Sequence, residues 1–149
     1  MRDLELTPYT VPHDAREPLQ LTCSDGAVRL GILTDAGSMT QHLVRHLQRC
    51  QALLLECNHD RGMLAAGDYP PSLKARIGSA QGHLANDTAA QILELCRHAA
   101  LRHVVAAHLS ERNNTPALAT KALADAVGTT SDDVVVADPL RGFDWLSLD

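Results

Sequence analysis

Residues 106–114 read AAHLSERNN, an apolar run that ends on His108 and turns polar through Ser110, Glu111, Arg112, Asn113 and Asn114. The run begins within "HVVAAH" (103–108), which has the length and β-branched content of a buried strand. "TPALATKALADAVG" (115–128) follows and reads as a helix, with Pro116 at its start and Gly128 at its end. A strand that passes through a polar loop into a helix is the repeating unit of an α/β fold, and the rest of the chain repeats it.

Upstream, "LQLTCS" (19–24) and "AVRLGILTD" (27–35) are strand-like runs joined by the hairpin signal Asp25-Gly26. "SMTQHLVRHLQRC" (38–50) has Met39, Leu43, Val44 and Leu47 at helical spacing, with Ser38 available as N-cap. "ALLLEC" (52–57) is a continuous apolar run of the kind expected of a strand covered on both faces. "PPSLKARIGS" (70–79) predicts a short helix with Pro71 in its first turn, and "NDTAAQILELCRHAAL" (86–101) a clearer one capped by Asn86 or Asp87. "DVVVAD" (133–138) is a last strand. The alternation predicts an α/β layered fold, and the opening hairpin predicts a mixed sheet with flanking helices. No repeat, low-complexity tract or linker interrupts it, so residues 1–149 are read as a single domain.

With 149 residues and 45% apolar content the chain can bury a core. Its formal charge of −5 gives no broad positive field for nucleic acid, so any phosphate contact must be local. "MRDLELTPYT" carries charges where a secretory signal needs an apolar stretch, and no run approaches a membrane span; no membrane association and a cytoplasmic location are expected. Cys23, Cys50, Cys57 and Cys96 lack CxxC spacing and sit among apolar neighbours, which predicts small buried thiols rather than disulfides or a zinc knuckle.

Three polar signals lie just past the carboxyl ends of apolar strands: "TDAG", "ECNHD" and "HLSERNN". In α/β sheets that edge is where ligands bind, because loops converge there on rigid strand ends. Each residue also has a purely structural reading. Asp35 before Ala36-Gly37 suits a turn, His83 in "GHLAND" suits a loop before a helix cap, and His108 suits a strand end bonded to backbone. His42 and His46 in "HLVRH" mimic a zinc pair, but no HExxH glutamate lies between them, and a solvated helix face is the expectation. His98 and His103 have similarly weak claims to a site.

Taken together, "ILTDAG", "LLLECNHD", "GDYPPSLKARIGSAQGHLAND" and "VVAAHLSERNNTPALA" resemble the later motifs of the metallo-β-lactamase superfamily. They resemble in particular the YycJ/WalJ type of metal-dependent hydrolase, relatives of the ribonuclease Z and phosphonate-pathway phosphodiesterase groups. The resemblance runs from "PYTVPHDAREP" to "VVVAD" and implies the C-terminal half of an αββα sandwich. It implies that Asp35 bridges two divalent metal ions, zinc or manganese, and that His108 ligates one of them. It further implies that His83 contacts a scissile phosphate, that His13 occupies a position where this type carries histidine, and that the substrate is a nucleic acid or other phosphodiester. Asn58, His59 and Asp60 match a recurrent "NHD" to which it gives no role.

The chemistry suits those residue types. Two ions roughly 3.5 to 4 Å apart need a carboxylate between them to offset their repulsion, and imidazoles complete each shell. A further histidine can donate a proton to the developing charge or the leaving group. The family's leading signature, HxHxDH, is not among the 149 residues. The expectation is therefore weak metal binding, no turnover by the chain alone, and either homo-oligomerisation or association with an N-terminal half. Three readings stay open: a fragment of a dinuclear hydrolase, a non-catalytic binding or scaffold module, and one chain of a split enzyme. The motif assignment requires Asp35, His83 and His108 to converge at one sheet edge, with Asp35 and His108 ligand atoms roughly 3 to 5 Å apart. His42 and His46 should lie elsewhere.

Overall fold

The computed structural model describes residues 3–148. A single six-stranded sheet runs in sequence order: β1 (Glu5–Thr10), β2 (Leu19–Ser24), β3 (Arg29–Leu33), β4 (Ala52–Glu56), β5 (His103–Ala107) and β6 (Val134–Val136). The first two pairings are antiparallel and the remaining three parallel, so the sheet is mixed as expected. Asp25 shapes the β2–β3 turn by accepting from the backbone N–H groups of Ala27 and Val28, and Gly26 takes the left-handed conformation the turn requires.

The parallel strands are joined by α1 (Gln41–Leu47), by α2 (Arg61–Ala66), α3 (Pro71–Ile77) and α4 (Asn86–Cys96), and by α5 (Pro116–Val127). Because successive crossovers step in one direction across the sheet and share one hand, α1, α4 and α5 fall on the same face. Leu33, Leu53, Leu55, Val104 and Ala106 point into that layer and meet Leu43, Leu47, Ile92, Leu93 and Leu123. Each fully buried leucine stabilises the fold by about 1.5–3 kcal/mol relative to exposure.

The other face has no helix among the described residues. Leu30, Ile32, Leu54 and Val105 lie there under the irregular segment 143–148, which His103 tethers through a 2.7 Å contact between its Nε2 and the Ser147 carbonyl. Further along the same face Leu6 and Leu19 are 54% and 53% exposed. β4 is covered on both faces, unequally: Leu53 and Leu55 are buried under the helices, and Leu54 is partly buried under segment 143–148.

Two helix starts also differ from expectation. Thr40, not Ser38, caps α1 by accepting from the Leu43 N–H, while the Ser38 hydroxyl donates to the Ala80 carbonyl. α4 starts at Asn86 without a side-chain cap, because the N-cap position is Ala85, whose methyl cannot accept, while the Asn86 amide pairs with Asn114; α4 also stops at Cys96 rather than running to 101. His98 binds the Cys50 carbonyl just beyond that end. The four cysteines are free thiols, three of them buried. No helix among the described residues is long and apolar enough to cross a membrane.

Candidate metal centre

The carboxyl ends of β3, β4 and β5 lie side by side, so the loops leaving them share one rim. Asp35 leaves β3, Glu56 closes β4 and His108 leaves β5. His83 arrives from the loop after α3, and His13 from the segment after β1. One Asp35 oxygen lies 3.9 Å from His13 Nε2, 4.0 Å from His83 Nδ1 and 3.9 Å from His108 Nδ1. These separations exceed a hydrogen bond and place the Asp35 carboxylate beside all three rings. The rings pack edge to face, with centroids 5.1 Å apart for His13–His83 and 5.2 Å for His83–His108.

The backbone is strained where the chemistry lies. Among the described residues, three that are not glycine have positive φ, and two of these are Asp35 and His108, each at 55°. Such conformations persist only where the surroundings over-determine them, and they cluster at functional sites. The polar residues after His108 supply that determination. Asn58 donates its amide to the His108 carbonyl, and the Ser110 N–H donates back to the Asn58 carbonyl. Asn113 accepts the Asp60 N–H on its carbonyl. Asn114, 5% exposed, exchanges two 2.9 Å hydrogen bonds with Asn86 and donates to the Cys57 carbonyl. The abrupt polarity of SERNN is thus in large part a buried bracket locking the β4 and β5 loops together.

Two glycines bring the remaining loops close. A Cβ on Gly37 would lie 2.3 Å from the Gly82 nitrogen, and one on Gly82 would lie 2.2 Å from the Arg76 and Ile77 carbonyl oxygens. Gly37 donates its N–H to the Pro12 carbonyl and Asp14 donates to that of Gln81, while His13 Nδ1 contacts the Gly82 carbonyl at 2.9 Å. Side chains at these positions would force apart the loops carrying Asp35, His83 and His13. Gly37→Ala is therefore expected to destabilise the chain by about 1–3 kcal/mol and Gly82→Ala similarly, read as a lowered urea midpoint with unchanged slope.

Glu56 was not singled out as a site residue by sequence, where it reads as the polar flank of an apolar strand. It is fully buried. One oxygen lies 2.6 Å from His83 Nδ1 and 2.9 Å from His108 Nδ1, and the other accepts the Ala36 N–H at 3.0 Å. Burial alone would push its carboxyl up, but the hydrogen bonds from His108, His83 and Ala36 outweigh it and hold the group below the usual glutamate range. The same contact with Glu56 raises His108, against the opposing effect of burial. The signal that could have found Glu56 is a carboxylate closing a run of buried aliphatics, since a buried charge needs partners.

Two overlapping donor sets result: His13, Asp35 and His83, and Glu56, His83 and His108, with ligand atoms within 4.8 Å of one another in each. The chain thus offers more donors than the Asp35–His108 pair expected from sequence. His42 and His46 lie outside both sets. His42 is exposed as predicted, but His46 is partly covered by a parallel stack on Tyr9, with centroids 4.9 Å apart, so the fully solvated reading is corrected for it.

The sequence matches no family model. Over 117 residues it is 35% identical to exodeoxyribonuclease YycJ of Bacillus anthracis and 30% identical to exodeoxyribonuclease WalJ of Streptococcus pneumoniae. In both cases 78% of this chain covers 44% of the relative, so the chain spans under half the length of these curated relatives. The structure superposes on the metallo-β-lactamase fold protein YhfI of Bacillus subtilis with a TM-score of 0.69 at 18% identity, covering 95% of this chain and 49% of that one. Zinc-bound PqqB of Methylobacterium extorquens superposes with a TM-score of 0.53 at 18% identity, over 90% and 48% of the two chains.

Proposed function

Since the chain is a relative of the metallo-β-lactamase superfamily and has its α/β fold, we propose that residues 1–149 form the C-terminal part of a metal-dependent phosphodiesterase domain acting on nucleic acid in the cytoplasm. The observation that carries this reading is the convergence of Asp35, His83, His108 and His13 at one sheet edge around the buried Glu56. The donors suit divalent zinc or manganese, being imidazoles and carboxylates within one ion's reach.

In this reading Asp35 and His108 would hold the metal ions. Bound there, the ions would activate water and neutralise charge on the phosphoryl centre. Glu56 orients the two imidazoles by accepting from each Nδ1–H, which leaves the His108 Nε2 lone pair for a metal and lets His83, when its ring is protonated, present an Nε2–H to the substrate. His83 is placed to donate to the leaving oxygen, and His13 to steady the phosphate from the other side of Asp35.

The open apolar face and the share of the relatives' length that is matched favour a second element of this reading. A further polypeptide segment bearing HxHxDH packs on that face and completes the ligand set, either in the same protein or as a partner chain.

Calorimetric zinc titration tests the site. Wild type is expected to bind zinc and release protons, with affinity falling as pH drops through the raised His108 value. Asp35→Ala and His108→Ala should each weaken binding by at least about tenfold to a hundredfold. Zinc affinity indifferent to both substitutions would overturn the assignment.

A further inference from the structure

Beneath α2 and α3 lies a second hollow, of about 310 Å³, which the metal centre does not use. Its polar lining is His59, Arg61 and Lys74; Leu64, two alanines and a glycine complete it, with no carboxylate. His59 is 1% exposed, and its Nδ1 is the buried side-chain nitrogen or oxygen that lacks a hydrogen-bond partner among the described residues. Orphaned buried groups of this kind are rare and costly, because they surrender hydration and receive nothing back.

The neighbouring cations keep donors in reserve. The Lys74 ammonium gives one proton to the Ala65 carbonyl at 2.7 Å, leaving two. Arg61 binds Asp87 through Nε and Thr88 through Nη2, and its Nη1 has no hydrogen bond among the described residues. All three polar side chains can act as donors, so the chemistry that fits is a compact oxyanion. A cation would meet two positive charges and no carboxylate in the lining, the nearby Asp87 being already paired with Arg61. The position fits too. His59 follows Glu56 by three residues, in the loop pinned by backbone hydrogen bonds to Leu84, the residue after His83, and to Asn86.

We infer that the His59–Arg61–Lys74 hollow is a phosphate-binding subsite, receiving a phosphate of the nucleic-acid strand adjacent to the one at the metal centre. The source deepens the phosphodiesterase reading and rests on it; the chemistry is shared with free orthophosphate. Phosphate oxygens would accept from the His59 Nδ1–H, the Lys74 ammonium and the Arg61 guanidinium, satisfying the orphaned nitrogen.

The test uses the full chain in chelator, so that metal plays no part. The His59 ring nitrogens are followed by NMR while inorganic phosphate, or separately a short single-stranded oligodeoxynucleotide without terminal phosphates, is added. Both probes should shift the His59 signal, and Lys74→Gln and Arg61→Gln should each weaken the response about tenfold or more. A response to the oligonucleotide alone assigns the subsite to the strand, and one to orthophosphate alone assigns it to the free anion. Neither probe moving His59, or equal affinities in the variants, overturns the inference. Failure of the metal-centre reading would show instead in the zinc titration, which involves none of these three residues.

Discussion

Supplied with zinc or manganese, the 149-residue chain is expected to show no phosphodiesterase turnover, and turnover is expected to appear when a segment bearing HxHxDH is added in cis or in trans. The chain brings two carboxylates and three imidazoles to the rim, one carboxylate already engaged with two of the imidazoles, but a dinuclear hydrolytic site needs about three protein ligands on each ion. In the restored enzyme Asp35→Ala and His108→Ala should each cost more than about 100-fold in kcat/KM, because loss of a direct ligand exceeds the 10–100-fold typical of an outer partner. His83→Ala should keep metal affinity yet lower kcat by roughly 10²–10⁴, as expected when a proton donor acting in the transition state is removed. Steady-state hydrolysis of a fluorogenic diester, with metal content measured on the same samples, separates these outcomes. Hydrolysis by the short chain alone, insensitive to Asp35→Ala, would place the chemistry elsewhere.

Glu56→Ala should be strongly destabilising, by about 2–4 kcal/mol, because it empties a fully buried position, leaves the buried Ala36 N–H without its acceptor and removes the shared partner of two partly exposed imidazoles. Glu56→Gln keeps the volume and should cost less. Its neutral amide cannot hold the His108 proton, so His108 should fall back towards an ordinary imidazole value, readable by NMR titration. The metal-free chain should also have a bounded stability window. The contribution from Glu56, whose folded value is depressed, is complete above its unfolded value near roughly pH 4.3 and is lost as pH falls through the lower folded one. That from His108, whose folded value is raised, is complete below roughly pH 6.5 and is lost as pH rises through the higher folded one. Urea midpoints measured across pH should peak between these limits in wild type and lose that dependence in Glu56→Gln. An unchanged profile in the variant would remove Glu56 from its proposed place.

Much of this arrangement was legible in the sequence, for physical reasons. The β3, β4 and β5 runs are apolar and bounded by polar loops, and Asp35 and His108 stand immediately past their ends, where the topology gathers loops. Other parts left weak marks. β1 lies at the sheet edge with mostly exposed residues and Pro8 within it, so it carries little hydrophobic pattern. α2 spans six residues, too few to display a helical period, and is fixed by the Asp60 cap instead. Glu56 was hidden because its role depends on His83 and His108, 27 and 52 residues away, and a single carboxylate cannot announce partners at that separation. Asn113 and Asn114 read as loop residues because their burial follows from loop packing, which local composition does not record.

The left-handed backbone at Asp35 and His108 bears on how such a site would decay under mutation. An aspartate and a histidine are kept at φ near 55° at a cost that glycine would not incur and asparagine would lessen. In a population selected only for folding, drift at these two positions should therefore run towards glycine and asparagine, and β-branched residues should be purged on backbone grounds alone. Aspartate at 35 and histidine at 108 would persist only under selection for what their side chains bind. A deep mutational scan scored for abundance and then for metal retention would read this asymmetry directly, with the two rankings opposed at these two positions and parallel across the leucine core.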